Sequence, residues 1–249
     1  GSSEQRALHI IHQHSEVILD RIRSTIGQDL HLKREVLVQQ VINELESNQL
    51  ILISGPAGSG KSNIAKDAIT LLSADYFVFS FRAEEFAQPH FDTTLQSNQI
   101  PVNAATLGAI LAGYDRKVLL IESIERLLEK STRDAFSDLL TLAAKDKTLH
   151  IILTVRDYST DLVRSCFLDV IDIEHSVITV PQLSDDELKE VEAANPELGL
   201  PLGNPELRRI LRNPYVLDKA LHISWSDSRP LPESERDFRA LFWQQIIRA

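Results

Sequence analysis

The eight residues Gly55-Pro56-Ala57-Gly58-Ser59-Gly60-Lys61-Ser62 constrain this chain more than any other part of it. They satisfy G-x-x-x-x-G-K-[ST] at every required position, directly after the apolar run Leu50-Ile51-Leu52-Ile53 and directly before a helical pattern from Lys61 to Leu72. A short, unbroken apolar run reads as a strand buried on both faces. Strand, glycine-rich turn and helix together form the setting in which a loop wraps phosphate. The glycines let the backbone curl so that successive N–H groups face inward, and the helix start near Gly60 adds the positive end of its dipole. Lys61 is placed to reach the β- and γ-phosphates, and the Ser62 hydroxyl to complete a Mg²⁺ shell. The expected nucleotide contacts are thus Gly55, Pro56, Ala57, Gly58, Ser59, Gly60, Lys61, Ser62 and Asn63, with ATP or ADP and Mg²⁺ as cofactors. An ordinary glycine-rich turn is the alternative, and the flanking strand and helix argue against it.

Further strands are expected at Tyr76 to Phe81, Val118 to Ile121, Leu149 to Val155 and Val177 to Val180. Helical patterns alternate with them at Lys33 to Glu46, Lys61 to Leu72, Ala104 to Ala112 and Thr132 to Ala144, and the stretch from Arg82 to Asn103 reads as loop with short helical pieces. That alternation predicts an α/β fold: a parallel sheet with helices on both faces. After Pro181 the pattern becomes helical throughout, opening on Ser184 with Glu187 three residues later, a capping box. The predicted layout is a connector helix in residues 1–30, a P-loop NTPase core in 31–180, a small all-helical lid in 181–224 and the start of a following domain in 225–249. The first helix, Glu4 to Ile26, carries one narrow apolar seam (Leu8, Ile11, Ile18, Ile22, Ile26), which suits either packing on the core or connection to an upstream domain. His9, His12 and His14 lie in it without the cysteine or carboxylate companions a metal site needs.

Composition narrows the function. The net charge of −10 argues against nucleic acid and membrane surfaces as partners. Arg208, Arg209 and Arg212 read as a solvated helix face. A single cysteine, Cys166, fits a reducing, cytoplasmic setting, and no apolar run reaches the ~20 residues that span a bilayer. The Gly1-Ser2-Ser3 start and the absence of methionine read as one domain cut from a longer protein.

A P-loop needs an acid at the end of a neighbouring strand. Lys117-Val118-Leu119-Leu120-Ile121-Glu122 supplies one, and Glu122 is expected to hold Mg²⁺ directly or through water. Ser123 is not acidic; Glu125 is the next carboxylate, either orienting the attacking water or complementing a helix dipole. The strand Leu149 to Val155 ends in Thr154-Val155-Arg156, at the edge where parallel sheets bind ligands, so Thr154 or Arg156 is a candidate γ-phosphate sensor; the alternative for Arg156 is a structural pair with Asp157 or Asp185. The catalytic candidates are therefore Lys61, Glu122, Glu125 and Arg156, with Ser62 and Glu122 on the metal.

This order of motifs resembles that of the STAND ATPases, the signal-transducing P-loop group that includes NACHT and NB-ARC proteins and is related to AAA+. Leu32-Lys33-Arg34-Glu35 is similar to the family's apolar-Gly-Arg-Glu motif, with Lys33 in place of glycine. Ile152 to Arg156 resembles its strand ending in Thr-Ser-Arg, and Leu211-Arg212-Asn213-Pro214-Tyr215-Val216-Leu217 resembles its Asn-Pro motif. The run from Glu122 to Arg126 matches the family's Asp-Gly-x-Asp-Glu imperfectly. The resemblance implies that Arg34 lies near the nucleotide, that Pro214 packs on the adenine or sugar and that Arg156 senses the γ-phosphate. It also implies a nucleotide-controlled switch that self-associates on activation, with an upstream effector and a downstream sensor, in settings such as defence, immune signalling or transcription control. Two other classes compete: an AAA+-like motor or loader with steady ATP hydrolysis, and a small-molecule kinase, which would need an arginine-bearing lid. No Asn/Thr-Lys-x-Asp guanine motif is present, so adenine is the expected base.

Overall fold

The computed structural model describes residues 2–22, 32–171, 173–226 and 230–247. They fall into two compact units, of which the first comprises residues 2–22, 34–56, 61–171 and 173–180. It begins with α1 (Ser2–Arg21) and α2 (Glu35–Glu44), then β1 (Leu50–Gly55) and α3 (Lys61–Leu72). Next come β2 (Phe77–Arg82), α4 (Phe91–Ser97), α5 (Ala104–Leu111), β3 (Lys117–Glu122) and α6 (Asp134–Lys145). The unit ends with β4 (Leu149–Arg156), α7 (Thr160–Val163) and β5 (His175–Thr179).

All five strands are parallel, in the order β2-β3-β4-β1-β5. Alternate residues of a strand face opposite sides of a sheet, and the apolar runs fill both. Leu50 and Leu52 of β1 join Leu119, Ile121, Ile151 and Leu153 in a core shared with α5 and α6. Ile51 and Ile53 join Val118, Leu120, Ile152 and Ile178 in the opposite core, shared with α2 and α3. The fold is therefore the α/β class expected of the sequence, with a helical C-terminal region.

α1 packs along β2, at the edge of the sheet. The Ser80 N–H of β2 donates to Ser15 Oγ at 2.8 Å, and that hydroxyl in turn donates to the Ile11 carbonyl at 2.7 Å. An edge-strand amide thus finds its acceptor on a helix. His14 Nε2 lies 2.8 Å from Glu85 Oε1 beside it. The expected end of this helix at Ile26 lies outside the described residues.

At the amino-terminal end of the strands, the fully buried Lys117 ammonium pairs with Asp146 at 2.7 Å and donates to the Tyr114 carbonyl at 2.9 Å. Desolvation pushes the Asp146 carboxyl up, but the Lys117 bond and two bonds from Thr148 outweigh it and hold Asp146 below the usual carboxylate range. A depressed carboxylate contributes stability that is present above its unfolded pKa and lost as pH falls through its folded one. Since Asp146 is partly exposed, that contribution is at most about 1 kcal/mol. Urea melts between pH 7 and 3 should show Asp146→Asn losing this part of the acid dependence; an unchanged slope below about pH 4 would contradict the assignment.

The second unit comprises, of the described residues, 32–33, 57–60, 181–226 and 230–247. Its helices are α8 (Asp185–Ala194), α9 (Gly199–Gly203), α10 (Pro205–Leu211), α11 (Pro214–Ala220) and α12 (Glu235–Phe242). Ser184 and Glu187 form the capping box at the start of α8. Leu188, Leu207, Leu211, Leu217 and Phe238 centre a separate core. Two of the arginines expected to be solvated have a structural partner instead: Arg208 and Arg212 both donate to Asp185 Oδ1, at 2.9 and 2.5 Å, while Arg209 pairs with Glu206. The acid that draws them in lies 23 and 27 residues earlier, beyond what helical spacing reveals.

Candidate phosphate-binding site

Strand order decides which residues can meet. β4 lies between β1, which feeds the glycine-rich loop, and β3, which ends in Glu122. Residues at the end of β4 therefore stand between the loop and the acid. Gly55 is in register with Arg156, and the Thr154 hydroxyl donates to Glu122 Oε1 at 3.3 Å while accepting the Ser123 N–H at 2.8 Å. The Ser62 hydroxyl lies close enough to Glu122 to favour its charged form. A hydroxyl and a carboxylate brought together are the hard oxygen donors that Mg²⁺ prefers.

Ser123 is left-handed, with φ 59° and ψ 52°, an uncommon conformation for a residue with a side chain. Its N–H bond to Thr154 holds that turn. The chain then enters a 3₁₀ turn, Ile124–Leu127, which carries Glu125. The Glu125 side chain is only 10% exposed and pairs with Arg156 Nε at 3.4 Å; its second oxygen has no hydrogen-bond partner among the described residues. Arg156 Nη1 also donates to the Tyr158 hydroxyl at 3.1 Å. Glu125 and Tyr158 are therefore its partners, and neither Asp157 nor Asp185 takes that role.

Lys61 opens α3 and donates to the Gly55 and Pro56 carbonyls at 2.9 and 2.8 Å. Burial holds its pKa below that of a free lysine, with Arg156 adding to the effect, while Glu125, Asp157 and Glu122 oppose it. Burial pushes the Glu122 pKa up; the Ser62 and Thr154 hydroxyls and the charge of Lys61 counter this, and Glu125 reinforces it. Two cations, Lys61 and Arg156, thus stand among three carboxylates. Asp157, which the sequence offers only as a structural partner for Arg156, acts on Lys61 instead.

The apex of the loop, Ala57 to Gly60, is counted with the helical unit. Gly58 and Gly60 adopt φ of +74° and +92°, the left-handed region open to glycine. Asn213 caps α11, its Oδ1 accepting from the Tyr215 and Val216 N–H groups at 3.0 and 3.3 Å. Its Nδ2 donates to the Ala57 carbonyl at 2.9 Å, and the Tyr215 N–H also donates to the Gly58 carbonyl at 3.2 Å. A Cβ on Gly58 would lie 2.5 Å from Tyr215 Cβ and 2.8 Å from Asn213 Oδ1, so only glycine fits there. The motif itself leaves this position free; the approach of α11 does not.

The structure thus brings Lys61, Ser62, Glu122, Glu125 and Arg156 together at one edge of the sheet. Gly55 and Pro56 lead into the loop, and Asn63 lies in the first turn of α3. Pro214 is the first residue of α11, half-buried beside the Asn213 cap. Arg34 is the residue before α2, its carbonyl accepting from the Leu37 and Val38 N–H groups.

A family model described as novel STAND NTPase 1 (nSTAND1) matches residues 26–213. Among solved structures, the Walker-type ATPase PABY2304 of Pyrococcus abyssi aligns with a TM-score of 0.56 at 16% identity, over 82% of this chain and 70% of that one. The Orc1 protein of Aeropyrum pernix, solved in complex with DNA, aligns with a TM-score of 0.53 at 12% identity, over 87% of this chain and 66% of that one. These likenesses show a shared fold. A search of curated proteins finds no match. Among the described residues, no helix is long and apolar enough to cross a membrane.

Proposed function

The chain belongs to the novel STAND NTPase 1 family, and on that premise we propose that it is an adenine-nucleotide switch module whose helical unit reads the state of the bound nucleotide. The observation that carries this reading is the pair of hydrogen bonds from Asn213 and Tyr215 to the loop apex. A loop that cradles phosphate and is hydrogen-bonded into the helical unit gives the phosphates a physical link to that unit. ADP and ATP differ in what they place beside the loop, and only such a difference in interaction can shift a conformational equilibrium.

In this reading Ser62 and Glu122 hold Mg²⁺, which supplies charge neutralisation to the phosphates when bound. Lys61 contacts the β- and γ-phosphates, Glu125 orients the attacking water and Arg156 faces the γ-phosphate. Arg34 and Pro214 border the nucleoside. Exchange of ADP for ATP then leads to self-association, with effector and sensor domains of a longer chain setting the biology, in defence or immune signalling by family resemblance.

A steady AAA+-like ATPase is the second reading, favoured by the three carboxylates facing Lys61. One experiment separates the two. Freshly purified protein is denatured, the released nucleotide identified by ion-exchange chromatography, and steady-state hydrolysis measured in parallel. The switch predicts stoichiometric ADP and turnover well under about 1 s⁻¹, below the common range for enzymes. An empty site with turnover of about 1 s⁻¹ or more would move the assignment to the steady ATPase.

A further inference from the structure

We propose that Asn213 is a positioning residue for phosphate recognition, its side-chain amide orienting the peptide planes at the apex of the loop. The inference rests on the nucleotide-binding reading and names a residue that shapes the loop apex within its own unit. In a planar trans peptide the carbonyl and the following N–H point in opposite directions. Asn213 Nδ2 holds the Ala57 carbonyl, so the N–H of Gly58 points away from α11. The Tyr215 N–H holds the Gly58 carbonyl, so the N–H of Ser59 points away as well. Among the described residues neither amide donates to a backbone carbonyl. Two successive amides aimed the same way are the elements of an anion-binding nest.

The chemistry of the side chain selects this role. A helix cap needs only an acceptor, and Asn213 Oδ1 fills that need by taking the Tyr215 and Val216 N–H groups. Serine or aspartate would cap equally well. Of these, asparagine alone carries an NH₂ donor on an atom separate from its capping oxygen, and that donor meets the Ala57 carbonyl. Gly58 admits the contact because any side chain there would collide with Asn213 and Tyr215. Arg212, the preceding residue, is fixed to Asp185 and to the Leu183 carbonyl, so the start of α11 is anchored from behind. Preorganised donors of this kind give up no binding energy to ordering when the anion arrives.

The test separates the donor from the cap. Asn213→Ser keeps a capping oxygen and removes the amide donor. It is expected to lower ADP affinity about tenfold, as loss of one orienting hydrogen bond allows, with the thermal midpoint of the free protein unchanged. Amide order parameters at Gly58 and Ser59 in the nucleotide-free protein should fall relative to the wild type, a readout of peptide-plane orientation that does not depend on ligand binding. Wild type and Lys61→Ala are titrated alongside. Unaltered order parameters at Gly58 and Ser59, or unaltered ADP affinity while Lys61→Ala loses it, would overturn the positioning role. Absence of ADP binding by the wild type, with lowered order parameters in Asn213→Ser, would instead overturn the nucleotide-binding reading.

Discussion

Lys61→Ala is expected to lower affinity for ADP and ATP by about a hundredfold, read by titration with a fluorescent adenine nucleotide. The charge-assisted bond between an ammonium and a phosphate contributes about 1.5–3 kcal/mol, and each 1.4 kcal/mol is tenfold in affinity. Here the loss runs toward the upper end, because Lys61 is the counter-charge to Glu125, Asp157 and Glu122. Without it Arg156, paired with Glu125, is left as the cation among those three carboxylates as the phosphate arrives. In the structure the lysine already donates to the Gly55 and Pro56 carbonyls, so its ammonium is held in the loop by neutral acceptors that a phosphate outcompetes. The pH dependence has a definite sign. Burial lowers the Lys61 pKa, so affinity should begin to fall at a less alkaline pH than a free lysine dictates, and Lys61→Ala should remove that step. Retained affinity in the variant would refute the assignment of the loop.

The parts of this architecture legible in the sequence are those set by local pattern. Runs such as Leu50 to Ile53 and Val118 to Ile121 announce strands buried on both faces, and the octapeptide fixes the turn between β1 and α3. The order of the strands is not local, and it decides that Thr154 stands between the loop and Glu122. The same holds for Glu125, in the turn after β3, and Arg156, at the end of β4, which pair with each other while Arg126, beside Glu125 in sequence, pairs with Glu84. In α1 the apolar seam indicated a buried face, yet one of its closest contacts is polar: Ser15, invisible to a hydrophobic pattern, takes the edge amide of Ser80. Asn213 illustrates the limit. The sequence offers it only as part of an Asn-Pro motif, and nothing local shows that its amide caps α11 on one side and reaches Ala57, 156 residues away, on the other.

The two carboxylates on either side of Ser123 should separate in their effects. Glu125→Gln is expected to cut ATP turnover by about 10²-fold or more, within the range for loss of a general base, while ATP affinity in Mg²⁺ stays near the wild-type value. Glu122→Gln is expected to lose Mg²⁺-dependent affinity first. The geometry assigns the roles: Glu122 accepts from Thr154 beside the Ser62 hydroxyl, on the metal side, whereas Glu125 pairs with Arg156 and, among the described residues, leaves one oxygen without a partner. A carboxylate oxygen buried without a donor is costly unless something fills it, and a water held for attack is such a donor. Glutamine preserves the size of Glu125 and one carbonyl oxygen, but it cannot take a proton, so the variant isolates the base from the packing. Acid conditions supply an independent check. Burial raises the Glu122 pKa, so its carboxylate is neutralised at higher pH than an exposed glutamate, and Mg²⁺-dependent affinity should weaken there first as pH falls. Single-turnover hydrolysis of bound ATP reads the Glu125 effect apart from nucleotide exchange. If Glu125→Gln hydrolysed at the wild-type rate, the carboxylate would be a structural partner of Arg156, and the water would have to be oriented by Glu122 or Asp157 instead.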